Sequence, residues 1–117
     1  MATNSTLEID AYLIDTLMPD LVGHDRQPAA FLVYVYVWRR TRAEGVADRA
    51  MSLREIAEGT GLSKRAVQSA LNTLVRRRLI GVERESITAV ARYTAHRPWV
   101  RDGDKGGEPG RARPVES

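Results

Sequence analysis

Apolar residues recur along this chain in two rhythms. From Leu7 to Leu74 they return mostly every three or four positions, the period of an α-helix. From Ile80 to Glu85 the pattern changes to alternation at Ile80 and Val82, as on a half-buried strand. Thr6 is placed to cap a helix from Leu7 to about Met18. On it Leu7, Ala11, Ile14 and Met18 form one stripe, with Leu13 and Leu17 beside it. Pro19 ends or kinks that helix. Asp20 to Gln27 reads as a connection whose Leu21 and Val22 tuck under the domain.

Pro28 to Ala43 is the most apolar segment. Its run Val33-Tyr34-Val35-Tyr36-Val37 is β-prone by composition. Pro28-Ala29-Ala30 is nevertheless a helix start. The apolar run from Ala29 to Trp38 is long for a strand, and Phe31, Tyr34, Val35 and Trp38 share one helical face. The spacing therefore predicts a buried helix, ended at Gly45.

Residues 51–80, MSLREIAEGTGLSKRAVQSALNTLVRRRLI, organise the rest. Ser52 can cap a helix over Leu53 to Glu58, with Leu53, Ile56 and Ala57 on one face. Gly59-Thr60-Gly61 stops it, since glycine tolerates the left-handed conformation of a helix end. Leu62 plugs the turn and Ser63 can cap a second helix, Lys64 to about Arg77. Val67, Ala70, Leu71 and Leu74 face inward on that helix. Arg65, Gln68, Ser69, Asn72 and Arg76 face out, with no large apolar side chain among them. Arg76, Arg77 and Arg78 span about 200° of a helix, so they cannot share a face. Arg76 continues the outer stripe, and Arg78 falls nearest the core side.

Ile80 to Glu85 reads as a strand with Ile80 and Val82 inward. Arg92 to Ala95 reads as its antiparallel partner, anchored by Tyr93. Trp99 is expected to pack the segment His96 to Val100 back onto the domain. Residues 1–5 and 101–117 read as disordered tails, leaving residues 6–100 as one domain.

Composition narrows the function. The 117 residues are 43% hydrophobic, enough for a modest core, and contain no cysteine. Disulfides and the usual zinc sites are thereby excluded, and a cytoplasmic protein is expected. No run of about 18 apolar residues exists to span a membrane. The net charge of +3 is unremarkable, but its distribution is uneven. Residues 1–25 carry Glu8, Asp10, Asp15, Asp20 and Asp25 and no Lys or Arg. Residues 63–84 carry Lys64, Arg65, Arg76, Arg77, Arg78 and Arg84 against Glu83. No phosphate-binding loop or nucleophile elbow occurs, so no catalytic residue, enzyme activity or cofactor is expected. His24 and His96 lack local partners at ligand spacing, so no metal is expected.

The phrase GLSKRAVQSALNTLVRRRLI, with Val67 six residues after Gly61, resembles the helix-turn-helix of bacterial transcription regulators. The resemblance covers roughly residues 28–94 and is to the winged helix-turn-helix group, broadly GntR-like and MarR-like. It implies a mainly α fold with a small β-hairpin, here with two extra N-terminal helices. It also implies a short edge strand near Ala50-Met51-Ser52. Double-stranded DNA is the implied partner, with helix 64–77 in the major groove. On this reading Lys64, Arg65 and Arg76 neutralise phosphates. Arg65, Gln68, Ser69 and Asn72 approach base edges. Ser52, Arg54, Thr60 and Ser63, near helix ends, hold backbone phosphates, and Arg84 touches phosphates from the hairpin. The hairpin departs from the common wing, because its tip carries Ile87 and Val90 where basic residues are usual. Leu7, Ile14, Leu17 and Met18 could form a homodimer contact. Two alternatives stay open: a protein-interaction module using the apolar hairpin 86–91, and a replication or plasmid-maintenance accessory protein.

Overall fold

The computed structural model describes residues 5–100. The tails expected at residues 1–5 and 101–117 lie outside it, apart from Ser5. Helical structure begins at Ala11, four positions later than expected, and Leu7 lies before it. Two π-helical stretches follow, Leu13–Leu17 and Pro19–His24. Pro19 therefore does not end the helix. Its missing N–H is accommodated by wider turns, in which Met18 N–H reaches the Leu13 carbonyl and Asp25 N–H reaches that of Asp20. Leu13, Leu17 and Leu21 point into the core. The dimer surface expected from Leu7, Ile14, Leu17 and Met18 is thereby broken up. Leu17 is buried in its own chain and Met18 partly so, while Leu7 and Ile14 stay exposed on different parts of the backbone.

Helix α1, Pro28–Arg40, is the centre of the molecule. Ala30, Phe31, Val33, Tyr34, Val37 and Trp38 are buried on it, so its β-branched residues serve packing rather than strand formation. It packs against α3, α2, the second π stretch and strand β3. A 3₁₀ turn, Arg42–Glu44, and Gly45 with φ of 79° then close the helix. Gly45 can hold that left-handed backbone without strain. Thr41 is fully buried, and its hydroxyl donates to the Val37 carbonyl at 2.7 Å.

The remaining elements are β1 (Arg49–Ala50), α2 (Leu53–Thr60), α3 (Lys64–Arg76), β2 (Ile80–Glu83) and β3 (Arg92–Ala95). The strands form one antiparallel sheet in the order β1-β3-β2, with Arg49 opposite Tyr93 and Ile80 opposite Ala95. Ile80 and Tyr93 are buried as expected, but Val82 faces solvent. β3 carries the inward side chains Tyr93 and Ala95; β2 contributes only Ile80 before it rises away from the core.

Polar clamps bind the N-terminal segment to the rest. Asp10 accepts from Arg97 Nε at 2.8 Å and Nη2 at 3.1 Å, and from the Trp99 indole at 2.8 Å. The Trp38 indole donates to the Glu8 carbonyl, and the Tyr34 hydroxyl to that of His96 at 2.6 Å. Burial pushes the Tyr34 hydroxyl pKa well above its ordinary value. Trp99 stacks on Tyr12 with ring centroids 4.5 Å apart and packs against the core, as the sequence suggested.

Candidate nucleic-acid interface

The site is built from local signals. Ser52 accepts from Glu55 N–H at 3.0 Å, and the Glu55 carboxylate accepts from Ser52 N–H at 2.8 Å. This capping box fixes where α2 begins. Its S-x-x-E spacing was present in the sequence, although only Ser52 had been singled out. At the other end Gly61 adopts φ of 81° as the C-cap. Thr60 works within the turn: its hydroxyl donates to the Ile56 carbonyl at 2.7 Å and accepts from Leu62 N–H at 3.3 Å. Ser63 accepts from Ala66 N–H at 3.0 Å and starts α3. At Gly59 a Cβ would run into the Tyr36 ring, so α2 comes close to α1 there.

α3 then divides into two faces. Val67, Ala70, Leu71, Thr73 and Leu74 are buried, while Lys64, Arg65, Gln68, Ser69, Asn72 and Arg76 are exposed. Gln68 Nε2 lies 3.5 Å from Asn72 Oδ1, so the two amides stand side by side one turn apart. Lys64, Arg65 and Arg76 meet no acidic side chain among the described residues. The stripe is less purely polar than expected, because Val75, 44% exposed, lies seven residues after Gln68 and so above it. Arg54 on α2 is exposed and pairs with Glu58 one turn on, at 3.1 Å.

The end of α3 corrects one expectation. Arg77 N–H bonds the Thr73 carbonyl, Arg78 N–H that of Val75, and Leu79 N–H that of Leu74. The last two bonds make a Schellman turn, and Arg78 takes the left-handed φ of 62° it requires. Arg78 is therefore exposed rather than laid against the core. Arg77 is the arginine that finds acids: its guanidinium donates to Asp20 and Asp25, each at 2.7 Å. That hydrogen bond draws the Asp20 carboxyl below its ordinary pKa. His24 Nδ1 lies 3.3 Å from Asp25 Oδ1 and 4.0 Å from Asp20 Oδ1. His24 thus has two potential co-ligands that sequence spacing had not suggested. Both carboxylates already hold a cationic partner in Arg77.

The hairpin behaves differently. Arg84 Nη1 donates to the Ala89 carbonyl at 2.9 Å, which folds the tip on itself. Arg92 is tied to Asp48 through Nε and Nη2. Ile87 is 92% exposed at the tip, and Glu83 and Glu85 stand exposed on its approach.

Two helices joined by a glycine turn, packed on α1 and followed by a β-hairpin that pairs with a short strand ahead of them, define a winged helix-turn-helix. Residues 45–84 match the family model of the IclR helix-turn-helix domain. The matched segment runs from Gly45 through α2 and α3 to the end of β2, about a third of the chain. It supports a DNA-binding domain of the kind found in transcription regulators, and the matched family is neither the GntR-like nor the MarR-like one. No curated protein and no solved structure matches the chain. No helix among the described residues is long and apolar enough to cross a membrane.

Proposed function

We propose that this chain binds double-stranded DNA in a sequence-specific manner and regulates transcription in the cytoplasm, with helix 64–77 in the major groove. The observation that carries this reading is the exposed stripe of α3, whose cations are without acidic partners inside a segment that matches a DNA-binding family. Lys64, Arg65 and Arg76 neutralise phosphates and supply most of the affinity. Arg65, Gln68, Ser69 and Asn72 meet base edges, where paired amides suit adenine and a guanidinium suits guanine. Val75 supplies an apolar contact of the kind a thymine methyl accepts. Ser52, Ser63 and Arg54 lie at the starts of the two helices, where backbone and side-chain donors favour phosphate. Thr60, Arg84 and Arg54 have lesser parts, since each already spends a donor within the fold.

The test is a titration against random duplex DNA at several salt concentrations, followed by selection of the preferred sequence. The expected result is affinity that falls steeply with salt and a selected sequence bound more tightly than random DNA. Binding indifferent to both salt and DNA would remove the reading.

A further inference from the structure

Three arginines close α3, and their surroundings separate them. Arg76 is exposed on the outer stripe, and Arg78 points to solvent from the left-handed turn. Arg77 is held at both tips: Nη2 donates to Asp20 Oδ2 and Nη1 to Asp25 Oδ2, each at 2.7 Å. Those carboxylates stand 57 and 52 positions earlier in the chain. Asp20 lies within the second π stretch and Asp25 is its C-cap. Arg77 in turn is the C-cap of α3. The fork therefore bridges the end of one helix to the end of another.

The inner face of α3 is largely aliphatic, so its packing against the rest of the domain carries no directional polar contact among the described residues. A two-pronged guanidinium contact is directional. Base-edge contacts demand placement within about 0.5 Å and 10–20°. We propose that Arg77 is a positioning residue for DNA recognition: its tie to Asp20 and Asp25 sets the angle at which Gln68, Ser69 and Asn72 meet the bases. The inference rests on the reading of α3 as the DNA-reading helix. Two of the five N–H donors of Arg77 are spent on these carboxylates, and its positioning role requires no contact with DNA.

The experiment uses the full chain and two duplexes of equal length, the selected sequence and a scrambled one. Each variant is measured at a temperature where circular dichroism finds it fully folded, so that lost stability alone leaves the affinity ratio unchanged. Arg77→Gln is expected to lower the ratio of selected to scrambled affinity by about tenfold, the middle of the range for residues that act through others. The salt slope on the scrambled duplex should stay at the wild-type value. The double variant Asp20→Asn with Asp25→Asn should lower the ratio in the same way, although it removes acid rather than base. Arg77→Lys, which keeps the charge but not the fork, should recover only part of the ratio.

Two outcomes overturn the proposal. If Arg77→Gln reduces the salt slope by about 0.9 at an unchanged ratio, Arg77 is a phosphate ligand. If the Asp20/Asp25 variant binds both duplexes more tightly with a steeper slope, the carboxylates merely hold Arg77 away from DNA. A wild-type chain with no salt-dependent binding removes the DNA reading itself, and this inference with it.

Discussion

The exposed stripe of α3 and the wing are both decorated with arginine, yet only one of them leaves its cations available. On α3, Arg65 and Arg76 meet no acid among the described residues. On the wing, Arg84 folds back to the Ala89 carbonyl and Arg92 pairs with Asp48, while Glu83 and Glu85 face solvent. A count of basic residues would rate the two regions as similar. Their hydrogen bonds rate them apart, because a guanidinium already engaged has fewer donors left and less freedom to turn toward a phosphate. For a polyanion, the number of free cations is the quantity that counts.

The comparison can be broken most directly on α3. Arg65→Glu should weaken duplex binding on the order of 100-fold at low salt, because one phosphate contact becomes a repulsion and one base contact is lost. Fluorescence anisotropy with a labelled duplex reads this, and a change under threefold would contradict the assignment.

The second prediction concerns the frame behind both regions. Asp10→Ala leaves the Arg97 guanidinium and the Trp99 indole without their acceptor. A charged acceptor of this kind contributes about 2 kcal/mol, and urea unfolding should show a loss of that order. Unchanged stability would mean that the clamp is ornamental.

A smaller effect, of opposite sign, is expected at the end of α3. Arg78 holds φ of 62°, a conformation that carries a Cβ penalty. Arg78→Gly should therefore stabilise the chain by about 0.5 kcal/mol, the relieved Cβ penalty less the added backbone freedom of the unfolded state. Thermal unfolding tests this, and a lowered midpoint would show that the Arg78 side chain does more than occupy the turn. The smallest effect is expected at the wing tip. Ile87→Ser touches a side chain that is 92% exposed, so stability should move by less than about 0.5 kcal/mol. DNA affinity should move by less than twofold. A large loss of affinity there would make the wing a DNA contact and reverse the ranking of the two regions.

How far the sequence disclosed this picture follows from the range of the interactions. Ser52, Gly61, Ser63 and the 3.6 period of α3 act within a few residues, so both helices of the motif and the outer stripe were legible. Helix α1 was legible despite its valines and tyrosines, since Pro28 and the length of the apolar run outweighed β propensity. The clamps were not. Asp10 meets Arg97 and Trp99 across 87 and 89 positions, and Arg77 meets Asp20 across 57. Nothing in a helical period says which acid an arginine will reach across the fold. The same holds for Pro19, read locally as a stop but carried through by wide turns, and for Leu17, taken into the core rather than left for a second copy.

The central claim is that α3, and not the wing, supplies the cations that meet DNA. It is tested by the dependence of duplex affinity on salt in three proteins: wild type, Arg65→Ala with Arg76→Ala, and Arg84→Ala with Arg92→Ala. At about 0.9 of slope per phosphate contact, the α3 pair should lose about 1.8 from the slope of log affinity against log salt, while the wing pair should lose less than about 0.9. A slope that falls with the wing pair and not with the α3 pair would contradict the account.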